Sequence, residues 1–129
     1  MLFLPRAGES WIGGNGRGKF NHRWPHTCRA RSDEVWSHLE GDALELLCFD
    51  ATNSQASTIA LGRFSASAAA PIHVVPAGVW QAARPLGEYA LLGCYVGPGF
   101  NFSDFRMAKD DAEMRRVIAQ QGEGFAACL

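Results

Sequence analysis

His73-Val74-Val75-Pro76-Ala77-Gly78-Val79-Trp80-Gln81 reads as two strands joined by a tight turn. An apolar run enters, Pro76-Ala77-Gly78 reverses it, and a second run leaves. Proline fixes φ at the first corner of a turn, and a glycine two positions on accepts φ > 0. Period-two alternation after the turn puts Val79, Gln81 and Ala83 on one face and Trp80 and Ala82 on the other. An unpaired buried amide is costly. Gln81 therefore has to meet a neighbouring side chain, a water, a ligand or a metal.

Downstream, Arg84-Pro85-Leu86-Gly87 is a turn. Glu88 to Val96 reads as a strand with Tyr89, Leu91, Gly93 and Tyr95 on one face, and Gly97-Pro98-Gly99 stops it. Upstream, residues 34–39 alternate, with Glu34, Trp36 and His38 on one face and Val35, Ser37 and Leu39 on the other. Glu40-Gly41-Asp42 turns the chain. Ala43 to Phe49 is apolar on both faces apart from Glu45, which suits a strand covered on both sides. Asp50 to Gln55 is a polar loop, Ser57 to Leu61 another strand, and Ser65 to Ala70 a linker. Residues 1–4 form a short edge strand. Beyond Gly99 the period changes, and Phe102, Phe105 and Met107 lie in an irregular segment over the sheet. Asp110-x-x-Glu113 reads as a capping box that opens a short helix, with Met114, Val117 and Ile118 as its apolar stripe. Residues 120–129 are expected to fray. Short strands at regular intervals, Gly/Pro turns and helix only at the end predict an all-β jelly roll.

With 129 residues, 47% hydrophobic and 19% charged, the chain suits one folded domain rather than a disordered segment. A net charge of −1 gives no basic footprint for nucleic acid. No apolar run approaches the roughly 18 residues of a membrane span, and the start does not read as a signal peptide. The cytoplasm is the expected location. Cys28, Cys48, Cys94 and Cys128 are widely spaced with no Cys-x-x-Cys pair, which speaks against structural zinc. Cys48 and Cys94 sit in apolar strand patterns and read as buried thiols. Gly13, Gly14, Gly16 and Gly18 read as a surface loop, because no Lys-Ser/Thr follows as in a phosphate loop. Trp11, Phe20 and Trp24 pin that loop to something apolar. His22 and His26 flank Pro25, which breaks the helix that would aim both at one metal.

Several uncommon blocks occur together. They are Arg31-Ser32-Asp33-Glu34-Val35-Trp36, then Glu40-Gly41-Asp42-Ala43-Leu44-Glu45-Leu46-Leu47, then Val75-Pro76-Ala77-Gly78-Val79-Trp80-Gln81-Ala82-Ala83, and finally Gly93-Cys94-Tyr95-Val96-Gly97-Pro98-Gly99 with Asn101-Phe102-Ser103-Asp104-Phe105. In this order they resemble the small single-domain cupins of unknown function, over residues 28–107. The resemblance implies a double-stranded β-helix barrel, usually dimeric, with a small-molecule pocket at one mouth. On it, residues 1–129 form one cupin domain: a divergent glycine-rich lead-in over 1–27, the family-like core, and a C-terminal helix and tail over 108–129. Relatives carry a longer lead-in, so either residues 1–4 supply one barrel strand and 11–27 are an insertion, or that side of the barrel is incomplete and a partner subunit covers its open edges; a symmetric homodimer is expected.

Metal-binding cupins carry two histidines and a glutamate in a first motif and Pro-x-Gly-x-x-His in a second. Here Gln81 stands in place of the second motif's histidine. Glu34 keeps the acidic position, and Cys28 stands where relatives often have histidine. An amide oxygen is a weak ligand for first-row metals, so no cofactor is assigned. A divalent ion would have only Cys28, Glu34 and Gln81. Glu34, Trp36 and His38 share a face, and in the implied barrel Gln81 faces them from across it, which makes Glu34 and His38 the candidate acid–base pair. Trp36 is a stacking wall, and Cys28, Gln81 and Tyr89 are ligand contacts. A purely structural alternative pairs Glu34 with Arg29 or Arg31 and makes His38 hydrogen-bonded filler, while Trp80 is core or a subunit contact. Three functions follow: metal-free isomerase- or epimerase-like chemistry, ligand binding or storage without chemistry, and a metal enzyme with a Cys/Glu/Gln site.

Overall fold

A computed structural model describes the backbone of residues 2–5 and, in full, residues 27–64, 69–99 and 101–129. The glycine-rich loop, its three aromatics, His22 and His26, and residues 65–68 of the linker lie outside the described residues. Among the described residues nine strands follow one another: β1 (Leu2–Pro5), β2 (Cys28–Arg29), β3 (Asp33–Gly41), β4 (Leu44–Asp50), β5 (Gln55–Leu61), β6 (Ile72–Val75), β7 (Trp80–Pro85), β8 (Tyr89–Gly97) and β9 (Arg106–Met107). Helices α1 (Ala112–Ala119) and α2 (Glu123–Ala126) end the chain. The strands form two antiparallel sheets, ordered β1-β8-β3-β6 and β5-β4-β7-β2-β9. The all-β jelly roll with a short C-terminal helix is therefore present as a two-sheet sandwich. Among the described residues, hydrogen bonding does not close the sheets into one barrel.

The 76–78 turn differs from expectation in one detail. Val79 N–H donates to Pro76 O at 3.2 Å, so Pro76 opens the turn rather than filling its first corner. Gly78 takes the second corner at φ +82°, where glycine adopts the left-handed region without strain. Two contacts fix the turn against the sheets: Gly78 N–H donates to Ala30 O, and Ala77 N–H donates to the Asp33 carboxylate, both at 2.8 Å.

The sequence period explains the layers. Trp36, Leu92 and Val75 of the first sheet meet Leu44, Leu46, Leu61 and Ala83 of the second in one buried cluster. The opposite face of β4 and β7 carries Leu47, Phe49, Trp80 and Ala82, which pack under Ile118, Phe125 and Cys128. This second layer is why 43–49 is apolar on both faces. It also places Trp80 in the core beneath the C-terminal helices.

Two expectations about the C-terminus are corrected. The helix cap is Asp111, not Asp110: its carboxylate accepts the Met114 N–H at 2.9 Å, and the helix starts at Ala112. Residues 120–129 do not fray. Phe125 and Cys128 are buried, and the Cys128 carbonyl accepts from both N–H (2.8 Å) and Oγ1 (3.0 Å) of Thr27. The apolar back of the second sheet holds them, because leaving it bare would forfeit about 25 cal/mol per Å² of apolar surface. No helix among the described residues is long and apolar enough to cross a membrane.

Truncating Phe125 to alanine is expected to destabilise the fold by about 3–5 kcal/mol in urea unfolding. A loss under about 1 kcal/mol would mean that α2 does not seal the second sheet.

Candidate functional site

Both strands of the opening motif deliver side chains to the space between the sheets. Gln81 is 1% exposed on β7, with Cys28 of β2 as its register partner on one side and Cys48 of β4 on the other. Partners directly opposite in an antiparallel ladder share a face, so the two thiols flank the amide. From the facing sheet, Trp36 Nε1 donates to Gln81 Oε1 at 2.9 Å. This is the partner that the buried amide required. Along β3, Glu34 points inward two residues before Trp36 and is 7% exposed. Trp36 itself is flanked in register by His73 of β6 and Cys94 of β8.

The electrostatics match a water-poor interior. Burial raises the Glu34 carboxyl above its ordinary value. Cys28 is pushed far above a normal thiol, first by burial, then by the Glu34 charge and by Cys94. Cys94 is pushed up to about 12, by burial and then by Glu34. Burial alone pushes Cys48 up to about 12. These shifts place Glu34, Cys28 and Cys94 within electrostatic reach of one another across the sandwich. At neutral pH the thiols are protonated and behave as small apolar groups, not nucleophiles.

The expected site residues divide. Glu34, Trp36, Gln81 and Cys28 face the same interior. His38 shares their strand face but lies four residues from Glu34, about 13 Å along β3, with Trp36 between them. Its Nε2 is 2.9 Å from the Asp42 carbonyl oxygen, so it is tied to the far end of the strand and is not paired with Glu34. Trp36 is 2% exposed and engaged with Gln81, which leaves no open ring for a ligand to stack on. Tyr89 alternates with Ala90 and Leu92, both buried, and therefore points the other way. Its phenol donates to Glu40 at 2.7 Å, and it lines a depression with Asp42 and Arg63. Among the described residues Glu34 has no ion pair with Arg29 or Arg31: Arg31 lies 3.7 Å from Asp104, and Arg29 covers the Trp80 ring. Sequence reasoning gave His73 no role and read Cys94 only as a buried thiol, whereas the structure leaves Cys94 half-buried. The signal available was their period-two phase with Val75 and Leu92, and it needed the register with Trp36 to become a location.

The donor set does not fit a metal ion. The amide oxygen of Gln81 is already an acceptor for Trp36, and the Cys28 thiol resists ionisation. Among the described residues no three His, Cys, Asp or Glu groups converge as a metal site would require.

Comparison with known proteins places these observations in a wider set. Residues 20–108 match the family described as Cupin superfamily (DUF985). An X-ray structure of a protein from Shewanella oneidensis is similar, with 27% identity and a TM-score of 0.63, covering 81% of this chain and 57% of that one. A hypothetical protein from Leishmania major is 23% identical with a TM-score of 0.60, covering 74% of this chain and 66% of that one. At that identity the second likeness shows the fold alone. This chain thus spans less than two thirds of either protein's length. No curated protein matches it.

Replacing Trp36 by phenylalanine is expected to cost about 1–3 kcal/mol beyond the lost ring volume, because Gln81 Oε1 is left buried and unpaired. Adding Gln81→Leu to that variant is expected to restore part of the loss in a denaturant double-mutant cycle. Strictly additive losses would contradict a direct Trp36–Gln81 bond.

Proposed function

This chain belongs to the DUF985 family of the cupin superfamily, and we propose that it binds a small molecule at the Glu34 end of its sandwich without a metal. The observation that carries this reading is an inward-facing carboxyl, on a residue only 7% exposed, that has no hydrogen-bond or ion-pair partner among the described residues and whose oxygens are not sealed from solvent. Such a group is expensive to keep for structure alone, and a ligand hydroxyl or carbonyl supplies what it lacks. Glu34 lies where β3 begins, bounded by the 76–78 turn and by Gly97–Gly99, whose last carbonyl accepts from Ser32 Oγ at 3.3 Å. The Trp36–Gln81 bond forms a fixed wall behind it. Cys28 adds a neutral thiol surface.

Binding without chemistry is the reading the geometry favours, because His38 cannot serve as the second half of a proton relay with Glu34. The isomerase- or epimerase-like reading is retained in a one-base form. A carboxyl raised above its ordinary value can take a proton from carbon beside a carbonyl and return it.

Two measurements test the proposal. Folding favours the protonated form of Glu34, so its stabilising contribution is full below the unfolded carboxyl value of 4.5 and is lost as pH rises through the higher folded value. Glu34→Gln keeps the shape and removes the ionisation. Its Tm is expected to match wild type near about pH 4 and to exceed it above about pH 7. A thermal-shift panel of aldoses, ketoses and hydroxy acids is expected to give stabilising ligands for the wild type that Glu34→Ala does not respond to. A Tm deficit in Glu34→Gln across the whole pH range, or ligands indifferent to Glu34, would contradict the assignment.

A further inference from the structure

On the outer side of the second sheet, remote from the interior just described, a cavity of about 420 Å³ is lined by Arg29, Trp80, Arg106, Asp110, Asp111 and Ala112. Arg29 and Arg106 are register partners on β2 and β9, so two guanidinium-bearing residues stand directly opposite on one sheet face. Like charges in that relation are destabilising unless something negative lies between them. Among the described residues neither has a carboxylate partner: Arg29 sits over the Trp80 ring, 5.0 Å from its centroid, and Arg106 donates to the carbonyls of Ser103 and Phe105 at 3.1 Å. Asp110 and Asp111 line the same cavity but form no ion pair with either arginine. Asp111 is committed to the Met114 N–H as the α1 cap.

Two further features border the same cavity. Ala112 is the first residue of the eight-residue helix α1, whose opening N–H groups carry partial positive charge. Trp80 forms a wall of the cavity, and its Nε1 is the buried side-chain donor that has no partner among the described residues. Two guanidiniums with no carboxylate partner among the described residues, in one cavity walled by Trp80, suit an anionic acceptor.

The geometry points to a binding site for a small monocarboxylate, formed by Arg29, Arg106 and the start of α1 over Trp80. A planar carboxylate suits guanidinium forks. Asp110 and Asp111 line the cavity as well, and their charges disfavour a dianion such as phosphate. The site is separate from the Glu34 interior and does not depend on what binds there.

The test follows the indole N–H resonances of the full chain by NMR, with the Trp80 peak assigned through Trp80→Phe. Acetate is expected to shift that peak saturably, with a Kd of about 1–10 mM. The affinity is expected to fall about tenfold in Arg29→Gln and less in Arg29→Lys, which keeps the charge and loses the fork. The Trp36 peak is expected to stay in place in every variant, which reports an intact fold. Inorganic phosphate at pH 8 is expected to bind more weakly than acetate. No saturable shift up to about 50 mM acetate, an unchanged affinity in Arg29→Gln, or tighter binding of phosphate would overturn the proposal.

Discussion

A single hydrogen bond from the Trp36 indole to the Gln81 amide ties the two sheets together at their centre. Both partners are buried, at 2% and 1% exposure, so the bond cannot be exchanged for one with water without opening the sandwich. It fixes the relative register of β3 and β7, two strands that share no ladder. That register determines what else can meet in the interior. It puts Glu34 one inward step along β3, and it puts Cys28 and Cys48 on either side of the amide.

The same bond accounts for the chemistry the interior can support. With its oxygen engaged, Gln81 is not a free ligand for a cation. With its ring enclosed, Trp36 is not a platform for a substrate. What is left is a carboxyl whose charge is penalised by burial and is not offset by a described neighbour. Gln81 and Cys28, both standing where the resemblance would place an imidazole, are the two positions at which this interior departs from a metal-binding donor set.

Local pattern made much of this legible. Alternation placed Glu34, Trp36 and His38 on one face and required a partner for Gln81, and the two-faced apolar run at 43–49 announced a strand covered on both sides. The resemblance put Gln81 opposite that face, but which of its residues meets the amide was not legible, since no spacing within β3 singles out Trp36. Tyr89 shows the limit. Both faces of β8 carry apolar residues, Leu91 and Tyr95 on one and Ala90 and Leu92 on the other, so alternation could not tell inside from outside. His38 shows another: sharing a face is not sharing a site when about 13 Å of strand intervenes. The tail at 120–129 read as frayed because its two anchors, Phe125 and Cys128, are too few to make a periodic signal. The Asp110/Asp111 shift is a one-residue boundary effect, settled by which carboxylate reaches an N–H three residues on.

Hydrogen exchange of the Trp36 indole N–H reads the central bond directly. If that N–H is held by Gln81 between two packed sheets, it exchanges only when the whole domain unfolds, and its opening free energy equals the global one from denaturant titration. Exchange through small local openings, with a free energy well below the global value, would contradict the account.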